Sequence, residues 1–112
     1  MVYGLMANNY KNAKVDLTTT NVTTLYTAPS ATTTLIKSIL VSEDSGNADT
    51  ITVTITDAST AVFSLFKVKA IGANTTVELL TQPLTVQEDE IIKVTAATAN
   101  RLHVVASLLE IT

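Results

Sequence analysis

The chain contains no cysteine, which excludes disulfide frameworks, thiolate nucleophiles and sulfur-ligated metal sites together. It also lacks tryptophan and has only three tyrosines and two phenylalanines, so the aromatic platforms typical of carbohydrate-binding modules are scarce. Its three glycines are isolated from one another, so no glycine-rich loop can cradle a phosphate. We therefore expect no cofactor and no metal.

Residues that carry catalysis are equally scarce. The single histidine, His103, falls on an alternating segment with Val105, Ser107, Leu109 and Ile111. A catalytic histidine needs a nucleophile and an orienting carboxylate, and none of the serines lies in a G-x-S-x-G motif. We expect a structural or surface histidine and a protein that is not an enzyme.

The charge balance and hydropathy exclude two kinds of partner. Seven basic and ten acidic residues give a net charge of -3, the wrong sign for binding a phosphate backbone, so nucleic acid is not expected as a partner. No apolar run approaches the roughly 18 residues of a membrane-spanning helix. The opening residues lack the features of a secretory signal, and we expect no membrane association and no export.

Threonine is abundant, with 21 residues, and the segment DTITVTITD at 49–57 shows how it is used. Ile51, Val53 and Ile55 alternate with threonines, and successive side chains of a strand point to opposite faces. The pattern predicts a strand with one core face and one solvent face. Threonine also packs well on pleated surfaces and is disfavoured in helices.

Short segments of this kind recur every 8 to 14 residues or so, which is typical of a β-sandwich or barrel. We predict an all-β fold, a single antiparallel, jelly-roll-like β-sandwich at 14–112, preceded by an N-terminal arm at 1–13. The last segment also fits a helical template, but Val104, Val105 and Ile111 favour a strand. The predicted strands are about eight in number: 14–20, 22–27, 34–43, 49–57, 61–71, 75–81, 90–96 and 102–111.

The predicted arm lacks periodicity but is rich in apolar residues. It is either a frayed terminus or a set of anchors that become ordered against a neighbouring subunit. The candidate partner-binding residues are Val2, Tyr3, Leu5, Met6 and Tyr10.

Two predicted strands carry apolar residues on both faces, whereas a two-layer sandwich buries only one face of each strand. In LIKSILV, strict alternation places Leu35, Ile39 and Val41 opposite Ile36 and Leu40. AVFSLFKV likewise has Val62, Phe66 and Val68 opposite Phe63 and Leu65. Such a surplus requires a long loop, a strand shared at a corner or contact between subunits, and we favour the last.

The acidic stretch at 43–49 offers enough oxygen atoms to raise the question of calcium, but its spacing differs from that of an EF-hand loop. We interpret it as a solvated hairpin turn in which Gly46 or Asn47 has a positive φ. The acidic residues at 88–90 indicate a second turn of the same kind.

From LYTAPSATTTLIKSILVSEDSGNADTITVTITD, at 25–57, the chain resembles small virion structural proteins of tailed bacteriophages. Their shared features are the "lYtaP" entry, the IKSILVSE strand, a polar turn and a threonine-valine strand. The resemblance extends over QEDEIIKVTAATANRLHVVASLLEI, at 87–111, with its acidic turn and its closing S-x-x-E-I strand. Together these parts cover about half of the chain.

The resemblance implies a non-enzymatic β-sandwich subunit present in many copies in the virion and assembled in the bacterial host cytoplasm. Among such proteins we favour a capsid decoration, or cement, protein that binds the major capsid protein or another virion protein. Homo-oligomers are expected, with a trimer preferred. The alternatives are a neck or tail adaptor, a tail-fibre component and, from another class, a receptor- or glycan-binding module.

Overall fold

The computed structural model describes residues 7–112, which form nine strands. No helix occurs in this part of the chain, so it holds none that could cross a membrane. The strands are β1 (Asn8–Asp16), β2 (Thr23–Thr27), β3 (Thr33–Glu43), β4 (Asp49–Thr56), β5 (Val62–Ile71), β6 (Thr76–Glu78), β7 (Leu84–Val86), β8 (Ile91–Ala96) and β9 (Leu102–Ile111).

The strands form two antiparallel sheets that pack as a sandwich, which confirms the predicted fold class. Sheet A has the order β1-β9-β3-β6, and β7 also pairs with β3. Sheet B has the order β2-β8-β4-β5. Since β9 occupies one side of β3 along its whole length, β6 and β7 lie one after the other on its free side, as two halves of an interrupted edge strand.

The core lies between the sheets and is built from alternate residues of the central strands. On β4, Ile51 and Val53 are fully buried, while Thr50, Thr52 and Thr54 on the opposite face are half-buried. The predicted division into a core face and a threonine face holds from Thr50 to Thr54. It fails at the end of the strand, where Thr56 is only 6% exposed and Ile55 is only partly buried. Strand β9 alternates in the same way, with Leu102, Val104, Ala106 and Leu108 buried.

A β-bulge in β3 corrects the predicted faces of LIKSILV. Ile36 pairs with Leu108 and Ser38 with Ser107, so Lys37 is an extra residue on β3. A bulge shifts the alternation by one residue. Leu35 is consequently on the outer face with Leu40, and the prediction that it shares a side with Ile39 is wrong.

Strand β5 has two register irregularities that change the prediction for AVFSLFKV in the same way. Phe63 pairs with Ile55 and Phe66 with Val53, and paired residues lie on the same face of a sheet. Phe63 and Phe66 therefore share the inner face, although strict alternation places them on opposite ones. Phe63 is nevertheless 55% exposed.

The first strand begins earlier than predicted. Residues 8–13, assigned from sequence to the arm, lie in β1 and pair with β9 in unbroken register. The chain after Asp16 is not a strand, so the predicted strand at 14–20 is only partly correct. Of the predicted arm, residues 1–6 lie outside the described part of the chain.

Candidate docking surface

The outer face of sheet A carries apolar side chains in cross-strand rows. Tyr10, Leu109 and Leu35 occupy one row, and Val105 and Leu40 lie side by side in another. Tyr10 is 71% exposed, and Leu40 and Val105 are also exposed. We call this surface the Tyr10 face; it consists of Tyr10, Leu35, Leu40, Val105, Leu109 and Ile111.

The bulge in β3 supplies a cation to this face. The Nζ atom of Lys37, the extra residue, lies 5.4 Å from the centre of the Tyr10 ring, within the range of a cation–π interaction. A shallow cavity of about 310 Å³ adjoins the pair and is lined by Tyr10, Lys11, Asn12, Lys37, Ser107 and Leu108. The site therefore combines an exposed aromatic ring, a fixed positive charge and flanking aliphatic side chains.

Of the five predicted contact residues, only Tyr10 is in the described part of the chain. It projects from a paired strand and not from an arm. The other four predicted contact residues, which lie outside residues 7–112, are Val2, Tyr3, Leu5 and Met6.

His103 lies at the far end of the same outer face, with a carboxylate beside each ring nitrogen. Its Nε2 is 3.2 Å from Asp16 Oδ1, and its Nδ1 is 3.6 Å from Asp44 Oδ2. Ser42 is its neighbour on β3, so the row Asp16, His103, Ser42 contains the residue types of a hydrolase triad. Within residues 7–112, no hydrogen bond joins His103 to Ser42, so the row lacks the nucleophile–base contact of a triad.

The carboxylates of the acidic stretch at 43–49 contact different parts of the fold. Glu43 is 1% exposed and accepts hydrogen bonds from the backbone nitrogens of Ser45 (2.8 Å), Gly46 (3.0 Å), Asn47 (3.1 Å) and Asn74 (3.1 Å). Burial opposes its ionisation, but these donors and the Ser45 hydroxyl outweigh it and lower the pKa of Glu43 to about 2.

The loop is solvent-exposed at 44–48, as predicted, but it is not a hairpin turn. It connects the two sheets, and Gly46 has the expected positive φ of 84°. Both Glu43 oxygens face N–H donors, which is the wrong polarity for a cation. Asp44 faces His103, while Asp49 Oδ2 accepts a hydrogen bond from the Thr98 nitrogen at 3.1 Å, so these carboxylates do not converge.

A second buried carboxylate, Glu110, joins the two sheets. The Tyr26 hydroxyl on β2 donates to Glu110 Oε2 at 2.6 Å and lies 2.7 Å from the Thr34 hydroxyl. On the edge strand β1, Lys11 Nζ is 2.9 Å from Glu110 Oε1. The hydrogen bond from Tyr26 holds the pKa of Glu110 below its usual value, aided by Lys11, while burial and Glu110 raise the pKa of Tyr26 to about 12.

Glu78 performs a similar role at the opposite edge of sheet A. Its Oε2 accepts hydrogen bonds from the backbone nitrogens of Ile39 (2.8 Å) and Leu80 (3.1 Å), and its Oε1 accepts one from Ser38. Although burial opposes ionisation, these donors lower the pKa of Glu78. The carboxylate thus holds the interrupted edge strand to the bulge of β3.

A second apolar surface lies where β5 faces the segment between β6 and β7. Val62 is 62% exposed and Val68 is 60% exposed. A cleft of about 340 Å³ opens at Leu65 and Phe66, which lie between these two residues on β5, and residues 79–84 line its other side. We call this cleft, together with Val62, Phe63 and Val68, the apolar edge.

Sequence reasoning missed the three anchoring glutamates, although two of them left a signal. Glu43 and Glu110 occupy inward positions of alternating strands, where an apolar residue is expected. A charged side chain in that phase indicates a buried carboxylate with several donors. Glu78 left no such signal, because its partners belong to a bulge.

Comparison with known proteins does not assign the chain to a family. No family model matches it, and neither does any curated protein. Within residues 7–112, no three histidine, cysteine, aspartate or glutamate side chains gather in a way that could hold a metal ion. The structure is that of a small all-β protein with two antiparallel sheets and two exposed apolar surfaces.

Proposed function

We propose that this protein is a non-enzymatic structural subunit of a tailed-phage virion, a decoration or cement protein that binds the capsid lattice through the Tyr10 face. The observation that carries the proposal is the 71% exposure of Tyr10 on a paired strand, on the same face as outward-facing Leu40 and Val105. Exposed aromatic and aliphatic side chains that lie together on a surface mark interaction sites. The resemblance at 25–57 and 87–111 supplies the virion setting.

The chemistry of the Tyr10 face suits docking better than catalysis. Its central residues are apolar, while Lys37 and Lys14 add positive charge on its β3 and β1 strands. The partner, the major capsid protein or another virion protein, should therefore present an apolar patch with acidic residues at its rim.

An oligomer can bind a lattice tightly even when the contact made by each of its subunits is weak. A specific interface buries about 1,000 Å² or more, and oligomeric subunits that engage several lattice sites together gain avidity. Closed assemblies of identical subunits are common among homo-oligomers, and a trimer is the preferred form here.

The decisive experiment measures binding of the purified protein to capsids assembled without it. Tyr10→Ser should lower the affinity at least tenfold, which corresponds to about 1.4 kcal/mol. Val22→Ser is the matched control, because Val22 is similarly exposed, at 65%, but lies in the loop before β2. If the triple variant Tyr10→Ser, Leu40→Ser, Val105→Ser keeps full capsid occupancy, the Tyr10 face is not the docking site.

The remaining predicted contact residues are tested by deleting residues 1–6. A longer deletion to residue 13 would remove most of β1 and confuse loss of binding with loss of structure. The shorter variant should retain the β-type circular dichroism spectrum while capsid occupancy falls. Full occupancy would exclude Val2, Tyr3, Leu5 and Met6 from lattice binding.

A receptor- or glycan-binding module is the second candidate, and the cavity beside Tyr10 and Lys37 favours it. An exposed ring next to hydrogen-bonding side chains is an arrangement that sugars use for stacking. Binding on a glycan array that Tyr10→Ser abolishes, without affinity for capsids, would select this function. A neck or tail adaptor would instead bind a ring-shaped virion component through the same face.

A further inference from the structure

The apolar edge is a second surface, separate from the Tyr10 face. Side chains of β5 and of residues 79–84 approach each other here from the two sheets without closing the sandwich. Leu65, Phe66 and Leu80 are only partly buried, and Phe63 remains 55% exposed on the inner face. A cleft with such a lining gains free energy when an apolar occupant displaces water from it.

Backbone pairing between the β5 strands of two copies is unfavourable at this edge. Strand β5 has two irregularities in its register, and Val68 has a φ of 53°, so its free edge is not a regular template. A symmetric pair would also bring Lys67 and Lys69 of two copies together. Bulges and lysines of this kind oppose edge-to-edge pairing.

The chain itself contains an uncharged segment suited to the cleft. Residues 1–10 carry no charged side chain, and Val2, Tyr3, Leu5 and Met6 are apolar. In an extended conformation, Tyr3 and Leu5 share one side, since side chains alternate. The segment can therefore lie beside Lys67 and Lys69 without repulsion.

The segment is too short to reach the cleft of its own subunit. It joins the fold at Ala7, whose carbonyl accepts a hydrogen bond from the Thr112 nitrogen at 3.2 Å. From there the cleft lies three strand spacings across sheet A, about 14 Å, and five residues along it, about 16 Å. That gives about 21 Å in a straight line, whereas the four steps from Ala7 to Tyr3 span at most about 14 Å and the two steps to Leu5 about 7 Å.

We propose that residues 2–6 of one copy fill the cleft of the apolar edge of a second copy, with Tyr3 and Leu5 as the anchors. The contact joins two different surfaces, so it generates a closed ring or an open chain of subunits. It forms without a capsid, so the tests below use the isolated protein. Because deletion of residues 1–6 would remove this contact together with any lattice contact of the segment, capsid occupancy does not test it.

The absence of cysteine makes a disulfide test direct. Gly4→Cys is mixed with Gln82→Cys, which lies at the rim of the cleft, and the mixture is oxidised. The control mixture pairs Gly4→Cys with Asn21→Cys, an exposed loop position before β2. Mass spectrometry of non-reduced protein should show the first heterodimer forming at least tenfold faster than the second; equal rates would overturn the proposal.

Solution size provides the second readout and does not depend on engineered cysteines. Light scattering should show oligomers for the wild-type chain and monomers for Tyr3→Ser, Leu5→Ser, while the matched variant Val2→Ser, Met6→Ser remains oligomeric. A wild-type chain that stays monomeric up to about 1 mM overturns the proposal. So does an intramolecular disulfide in a dilute Gly4→Cys, Gln82→Cys double variant, because it would show that the segment reaches its own cleft.

Discussion

The two edges of the sandwich differ in the regularity of their strand pairing and in the apolar surface that they expose. At the polar edge, β1 pairs with β9 over nine consecutive residues, and Lys11 on the outermost strand contacts Glu110. At the apolar edge, β5 is bulged, the facing strand is interrupted between β6 and β7, and Val62, Phe63 and Val68 are exposed. The strands of the regular edge pair without interruption, whereas the irregular edge leaves a cleft and exposed apolar side chains.

A carboxylate fastens each edge of sheet A, and a third closes the loop between the sheets. Glu110 holds β1, Glu78 holds the interrupted strand, and Glu43 holds the loop after β3. Each is ionised and accepts several donors, so each adds stability through its charged form. These three side chains provide the first way to compare the edges by experiment.

Acid should have the largest effect, since it acts on all three carboxylates. Their folded-state pKa values lie below the ordinary 4.5, that of Glu43 at about 2, so the folded protein binds fewer protons than the unfolded chain. Their contribution is therefore complete above about pH 5 and is lost as the pH falls towards 2. The midpoint of urea unfolding should drop across this range and should drop less in Glu43→Gln; a midpoint independent of pH would contradict this account.

Glu110→Gln should weaken the polar edge specifically. The substitution removes the ion pair with Lys11 and one charged hydrogen bond with Tyr26, which together are worth about 2 kcal/mol. Hydrogen exchange should accelerate in β1 more than in β5. Tyr26→Phe removes the same bond from the other sheet, so a double-mutant cycle should show coupling, and strict additivity of the two losses would argue against a shared network.

Thr52→Val tests how the bulge of the apolar edge is supported. The Thr52 hydroxyl accepts a hydrogen bond from the Val68 nitrogen at 3.1 Å, where β5 adopts its positive φ. Its loss should cost about 1 kcal/mol and speed exchange of the Val68 amide. Thr54→Val is the control, because the Thr54 hydroxyl bonds to no other described residue; a control that costs as much would show that the bulge does not depend on this bond.

Phe63→Ser should have the smallest effect on the isolated subunit, about 0.5 kcal/mol or less, although the side chain lies on the inner face. Over half of the ring is already in water, so little burial is lost. Val53→Ser, on the same face but fully buried, should cost about 2 kcal/mol or more in the same thermal unfolding experiment. Equal losses would mean that the apolar edge belongs to the core.

The sequence predicted the sandwich because two central strands, β4 and β9, alternate without interruption. In β4 and β9 the apolar residues recur at every second position, and the helical template of the last segment loses to its β-branched residues. The short β7 was missed, since Gln82 and Pro83 before it resemble a turn. Pairing with β3, a long-range contact, decides that Leu84–Val86 is a strand.

The candidate sites depend on features that a periodic pattern does not contain. The extra residue Lys37 moves Leu35 to the outer face and places a cation over Tyr10. Similar irregularities bring Phe63 and Phe66 to one side of β5. The sequence shows more apolar side chains than one core can bury. Their division between the Tyr10 face and the apolar edge depends on bulges, which shift the alternation by one residue and have no recognisable sequence pattern.

The hydrogen bond between Ala7 and Thr112 has a practical consequence for anyone who wishes to append a tag or a displayed peptide. Ala7 and Thr112 lie side by side, so a peptide appended after Thr112 would emerge next to the start of β1. The exposed loop at 18–22 lies at the other end of the long axis, away from this corner. A peptide inserted there would project clear of the apolar segment and of the Tyr10 row.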